Sequence, residues 1–87
     1  MAWNVELSVE ADREIGKLDP QQAKRIFSFL SRLANLNAPR SLGKALHGPL
    51  GELWSYRVGD YRLISKIEDD RLLVLVLRVG HRSDVYG

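Results

Sequence analysis

The chain has 87 residues, 13 Lys and Arg against 11 Asp and Glu, a net charge of +2 and no cysteine. That length suits one small domain, 1–87, in which folding buries roughly 60–65% of the chain's surface. The absence of cysteine excludes a disulfide framework and a thiolate metal site. The longest apolar run, Leu72 to Leu77, is too short to span a bilayer, and the N-terminus lacks the basic start and apolar stretch of a signal peptide, so a soluble cytoplasmic protein is expected. A pI near 9.2 leans toward an acidic partner without establishing one.

Met1 to Val9 alternates, with Trp3, Val5, Leu7 and Val9 on one face and Asn4, Glu6 and Ser8 on the other. That is the period of a strand with one buried face. At Glu10 the period changes. Ala11, Ile15 and Leu18 recur at helical spacing, and Asp19-Pro20 ends this short helix because the residue before proline avoids the helical region. The same dipeptide starts a second helix, with Asp19 as N-cap, Pro20 in the first helical position and Gln22 completing a capping-box pattern. Ala23, Ile26, Phe27, Leu30, Leu33 and Ala34 form its apolar stripe, and it ends near Leu36-Asn37, before Pro39. Two helices joined this closely make an αα-hairpin.

Residues 37–52 show no sustained period and carry Pro39, Gly43, Gly48, Pro49 and Gly51, so they read mostly as loop, with Arg40, Lys44 and His47 on it. A loop of this length in a small domain is often functional. Three strands follow, at about 53–58, 61–68 and 71–79, the last apolar on both faces and therefore expected in the centre of the sheet. Gly59-Asp60 fits a two-residue II′ hairpin turn, which sets Val58 opposite Tyr61 and Arg57 opposite Arg62. Like charges directly opposite on a sheet are destabilising, so the two guanidiniums read either as exposed strand arginines paired with Asp60, Glu52 or Glu68 or as a pair held for a polyanion. Asp69-Asp70 makes the second turn. Its acidic run, Glu68-Asp69-Asp70, reads as a solvated turn and not as a metal cluster, because consecutive acids at a hairpin tip diverge.

These elements describe an α+β fold of order β-α-α-β-β-β. A helical hairpin packs on one face of a small, mostly antiparallel twisted sheet, since the alternating strands otherwise have nothing to bury against. The other face is left as a shallow concave surface.

The LGKALHGPLGELW stretch, the YRVGDYRLI hairpin and the closing LRVGHRSDVY, in that order, resemble the RelE/ParE superfamily of type II toxins over nearly the whole chain, and the RelE-like branch most closely. The resemblance implies a metal-independent endoribonuclease, with no cofactor, that cuts mRNA in the ribosomal A site. In that chemistry the 2′-OH attacks the adjacent phosphate and the 5′-oxygen leaves. The resemblance also implies a RelB-like antitoxin bound in a hetero-oligomer, contact with 16S rRNA, and no membrane.

Residue by residue, Arg57 matches a basic position on the strand before the hairpin, and Arg62 the arginine after the hairpin tyrosine. Arg82 matches the arginine after the last strand, and Tyr86 a tyrosine near the C-terminus that stacks on a base and assists at the reacting centre. Ser55 departs from the pattern, standing where RelE proper carries a lysine thought to help proton transfer. A histidine near position 81 is used by some relatives, so His81 is expected to supply the proton chemistry; an imidazole titrates near pH 6.5, whereas arginine, with a pKa above about 12, is a poor base. The arginines suit the charge on the phosphorane, since their planar forks match phosphate oxygens. Lys44, Ser55 and Arg78 complete the set as RNA-binding candidates, although Arg78, inside the strand run, also reads as structural. One scaffold hosts several activities, so a ParE-like gyrase inhibitor and a catalytically weak, antitoxin-binding relative stay open beside the nuclease.

Overall fold

The structure, a computed structural model, describes residues 3–46 and 53–81. Strand β1 (Asn4–Leu7) leads into helices α1 (Val9–Gly16) and α2 (Pro20–Ala34), and then into strands β2 (Lys44–Ala45), β3 (Trp54–Val58), β4 (Tyr61–Glu68) and β5 (Leu73–His81). The five strands form one sheet in the order β1-β5-β4-β3-β2. The β1–β5 pairing is parallel and the other three are antiparallel. The α+β class, the helical hairpin and the mostly antiparallel sheet are therefore as the sequence predicts.

The boundaries differ where a polar side chain intervenes. β1 stops at Leu7 because Ser8 caps α1, its hydroxyl accepting the Ala11 N–H at 3.0 Å, so Val9 belongs to the helix and stands exposed. Asp19 caps α2 as expected, with its carboxylate taking the Gln21 N–H. Ile26, Leu30 and Leu33 of the predicted stripe are buried, but Phe27 is 49% exposed. Phe29, outside that stripe, packs its ring on Tyr56, with centroids 5.5 Å apart. The expected loop also holds a 3-10 turn, Pro39–Ser41, and the short strand β2. Arg40 of that turn makes a two-pronged ion pair with Asp69, at 2.7 and 2.9 Å, which ties it to the 3-10 turn between β4 and β5. β5 is flanked on both sides, as its apolar faces require, but the middle strand of the five is β4.

One face of the sheet carries the core. Tyr56, Leu63, Val74, Val76 and Val79 pack with Ala11, Ile15, Ile26, Leu30 and Leu33 of the helices. Val76 and Val79 are three apart, and a regular strand would turn them to opposite faces. A register shift solves this: Ser65 pairs with Val76 while Ile64 pairs with Arg78, leaving Leu77 as the extra residue of a bulge.

β1 ends opposite Val76, so the edge of β5 beyond it is bare. Helix α1 meets that edge. Ser8 Oγ donates to the Leu77 carbonyl at 2.7 Å, and Glu14 accepts the Val79 N–H at 2.9 Å and the Arg78 guanidinium at 3.0 Å. Partial burial pushes the Glu14 carboxyl up, but the hydrogen bonds from Arg78 and Val79 and the charge of Arg78 outweigh it and hold it below its ordinary value of 4.5. A carboxyl whose pKa is lowered by folding adds stability above its unfolded pKa and loses it as pH falls through the folded value. Glu14→Gln is therefore expected to lower the melting temperature at neutral pH and to flatten its decline between about pH 5 and pH 3, as read by thermal denaturation across pH.

Candidate nucleic-acid interface

The β3–β4 hairpin builds the site. Arg57 pairs with Arg62 and Val58 with Tyr61 across a two-residue turn. Gly59 has φ +59° and Asp60 does not share a positive φ, which is the II′ form, and it leaves the two arginines side by side on one face. By alternation that face, shared with Ser55 and Ile64, is the one turned away from the core residues Tyr56 and Leu63.

β2 pairs only with Trp54 and Ser55 of β3, so among the described residues no strand pairs with the outer edge of β3 from Tyr56 onward. A groove of about 430 Å³ wraps that edge, lined by Lys44, Ser55, Arg57 and Arg62 from the sheet and by Phe29 and Arg32 from α2. Gly43 sets the position of Lys44. Its φ is +74°, and a Cβ there would run into the Ser55 carbonyl oxygen and lie 2.9 Å from both Trp54 Nε1 and Tyr56 Cδ1. Trp54 Nε1 donates to the Leu42 carbonyl at 2.6 Å and Tyr56 OH to the Pro39 carbonyl at 2.8 Å, so the two aromatic side chains hold the incoming segment against β3. The Tyr56 hydroxyl is structural; burial pushes its pKa up to about 12, with Arg40 opposing.

Four of the predicted residues, Lys44, Ser55, Arg57 and Arg62, thus meet in one groove. Ser55 is buried and contributes no charge. Two others are placed elsewhere. Arg78 is held by Glu14 of α1, at 3.0 Å, consistent with the structural reading of that residue. His81 pairs with Tyr61, and its ring meets the tyrosine edge-on at 5.9 Å, so it lies on the face opposite Arg62. Adjacent strand residues point to opposite faces, and no pattern in the sequence says which of them serves the groove. Arg82, Tyr86 and the loop residue His47 lie outside the described residues. Arg32, by contrast, is a groove residue among the polar positions of α2 that the sequence analysis did not single out.

No carboxylate lines the groove among the described residues. The described ion pairs are Arg40–Asp69, Arg71–Glu68 and Arg78–Glu14, none of which involves Lys44, Arg32 or Arg57. Arg57 Nε instead donates to the Gly59 carbonyl at 3.3 Å. Converging guanidiniums suit an anion with several oxygen acceptors, phosphate above all.

The family described as ParE toxin of type II toxin-antitoxin system, parDE, matches residues 5–86. Toxin RelG of Mycobacterium tuberculosis is 36% identical over 90 residues, covering 99% of this chain and 98% of the relative. The toxin-antitoxin complex RelBE2 from the same organism contains a chain that superposes with a TM-score of 0.85 at 33% identity, covering 97% of this chain and 95% of that one. A variant of E. coli toxin RelE in complex with an antitoxin RelBc peptide superposes with a TM-score of 0.73 at 26% identity, covering 99% and 92%.

The groove depends on a residue without a side chain. Gly43→Ala is expected to destabilise the protein by roughly 1–3 kcal/mol, since it combines a positive φ with a clash against backbone. Urea denaturation checks this; an unchanged midpoint would show that Gly43 has no role in seating Lys44.

Proposed function

The chain belongs to the RelE/ParE family of type II toxin-antitoxin toxins, and from that premise we propose that it is a metal-independent endoribonuclease cutting mRNA in the ribosomal A site. The observation that supports this reading is the pairing of Arg57 with Arg62 in a groove that also holds Lys44 and Arg32 and no described carboxylate. Cleavage by the neighbouring hydroxyl needs little else from the protein. The 2′-oxygen attacks phosphorus, the bond to the 5′-oxygen breaks, one proton leaves the 2′-OH and one joins the departing 5′-oxygen. Charge accumulates on the non-bridging oxygens as the phosphorane forms, and fixed guanidiniums stabilise it there.

In this reading Arg57 and Arg62 hold the scissile phosphate, with Arg82, which follows β5 directly in sequence, as the third guanidinium. His81, on the other face against Tyr61, does not serve as the base for a phosphate in this groove. The proton transfers fall instead to Tyr86 and to groups of the ribosome. A RelB-like antitoxin is the cognate partner, on the strength of the antitoxin complexes formed by the relatives.

The match to the ParE description favours one second reading, a gyrase-inhibiting toxin that cuts nothing. Translation of a defined mRNA in vitro, with mapping of new 5′-ends and gyrase supercoiling measured in parallel, separates the two. New ends inside codons are expected. Intact mRNA with blocked supercoiling would overturn the nuclease in favour of the second reading. Arg62→Ala is expected to lower the cleavage rate by about 10²–10³, the usual effect of removing one donor to a developing oxyanion, with a thermal midpoint that does not fall, since one of two opposed like charges is removed.

A further inference from the structure

A second groove, of about 930 Å³, runs along the outer face of α2 to the tip of the β3–β4 hairpin. Lys24, Arg25, Ser28 and Arg32 line one side, and Val58 and Gly59 the end. It shares Phe29 and Arg32 with the arginine groove, so the two are continuous around the β3 edge. Arg25, Ser28 and Arg32 follow one another at helical spacing on one face, about 10 Å from first to last.

The junction is built from two elements. A Cβ on Gly59 would lie 3.3 Å from Arg25 Nη1, so the glycine admits that guanidinium onto the turn, and Arg57 Nε bonds to the carbonyl of the same glycine. The fold therefore brings Arg25 of α2 and Arg57 of β3 to one residue. No Asp or Glu lines either groove among the described residues, and Lys24, Arg25 and Arg32 take part in none of the described ion pairs. All three are exposed, so nothing in the packing requires them to be basic. The acids of the helices, Glu10, Asp12 and Glu14, lie on α1, and the first turn of α2 holds none.

We propose that the basic face of α2, with Lys24, Arg25 and Arg32, is a track for the phosphates flanking the scissile one, so that the bound RNA strand passes from Arg57 and Arg62 over the β3 edge onto the helix. This rests on the nuclease reading, from which it is separable by experiment. Unbranched electrostatic contact of this kind carries no sequence preference and is lost steeply with salt.

The test uses the full chain and the triple variant K24A/R25A/R32A, with circular dichroism and the thermal midpoint as the control for folding. Binding of a fluorescein-labelled single-stranded RNA is measured by anisotropy from low to physiological salt. Loss of three phosphate contacts is expected to make the slope of log K against log salt shallower by about 2, and to weaken binding by roughly tenfold or more at low salt. In ribosome-dependent cleavage the loss is expected to fall on KM more than on kcat. An unchanged salt slope in a folded variant would overturn the track, even if the wild-type protein cuts mRNA. A shallower slope together with a wild-type protein that cuts nothing would support the track and overturn the nuclease. Unchanged RNA binding with weakened binding of the antitoxin would overturn the proposal by making the face a protein-docking surface.

Discussion

Two guanidiniums face each other across β3 and β4, and the turn at Gly59 holds them there. Like charges in directly opposed positions cost stability in a sheet, and the register admits no relief by slipping. A shift of one residue would turn Tyr56 and Leu63, both fully buried, out of the core and bring arginines into it. The hydrophobic face thus enforces the polar one. Burial of Tyr56 and Leu63 against the helices fixes the pairing, and the pairing concentrates positive charge at an open edge.

The two flanks of the sheet differ among the described residues. α1 occupies the end of β5 that β1 leaves bare, supplying the Ser8 hydroxyl and the Glu14 carboxylate to a backbone that would otherwise lack partners. On the far side β2 spans two residues only, so the rest of β3 has no described strand beside it there. Charge follows the same division. Glu14 of α1 and the turn acids Glu68 and Asp69 are matched by Arg78, Arg71 and Arg40 in the described ion pairs, while Arg32, Lys44, Arg57 and Arg62 line the groove at the β3 edge. A net charge of only +2 conceals this segregation.

Membership of the family follows from similarity across the full length of the chain, whereas activity belongs to the site grafted on the fold. Within that site Ser55 is buried. Lys44 stands opposite it on β2, and Arg57 follows two residues on in β3. Arg32 of α2, an element that packs its other side into the core, lines the same groove.

Periodicity and turn chemistry in the sequence determined the element order, the Asp19 cap, the extent of β4 and the Arg57–Arg62 register, because each is a local property of a few adjacent residues. The bulge at Leu77 was not legible there, since β5 is apolar on both faces and its alternation carries no phase. Nor was the exchange of Phe27 for Phe29 at the α2 interface, since Phe29 lies outside the helical stripe and gains its place only by contact with Tyr56 of the sheet. The engagement of Arg78 by Glu14, 64 residues away, and the meeting of Arg25 with Gly59 were decided by how helices and sheet pack. Charges distant in sequence acquire partners, or a shared ligand, only when the core brings their elements together.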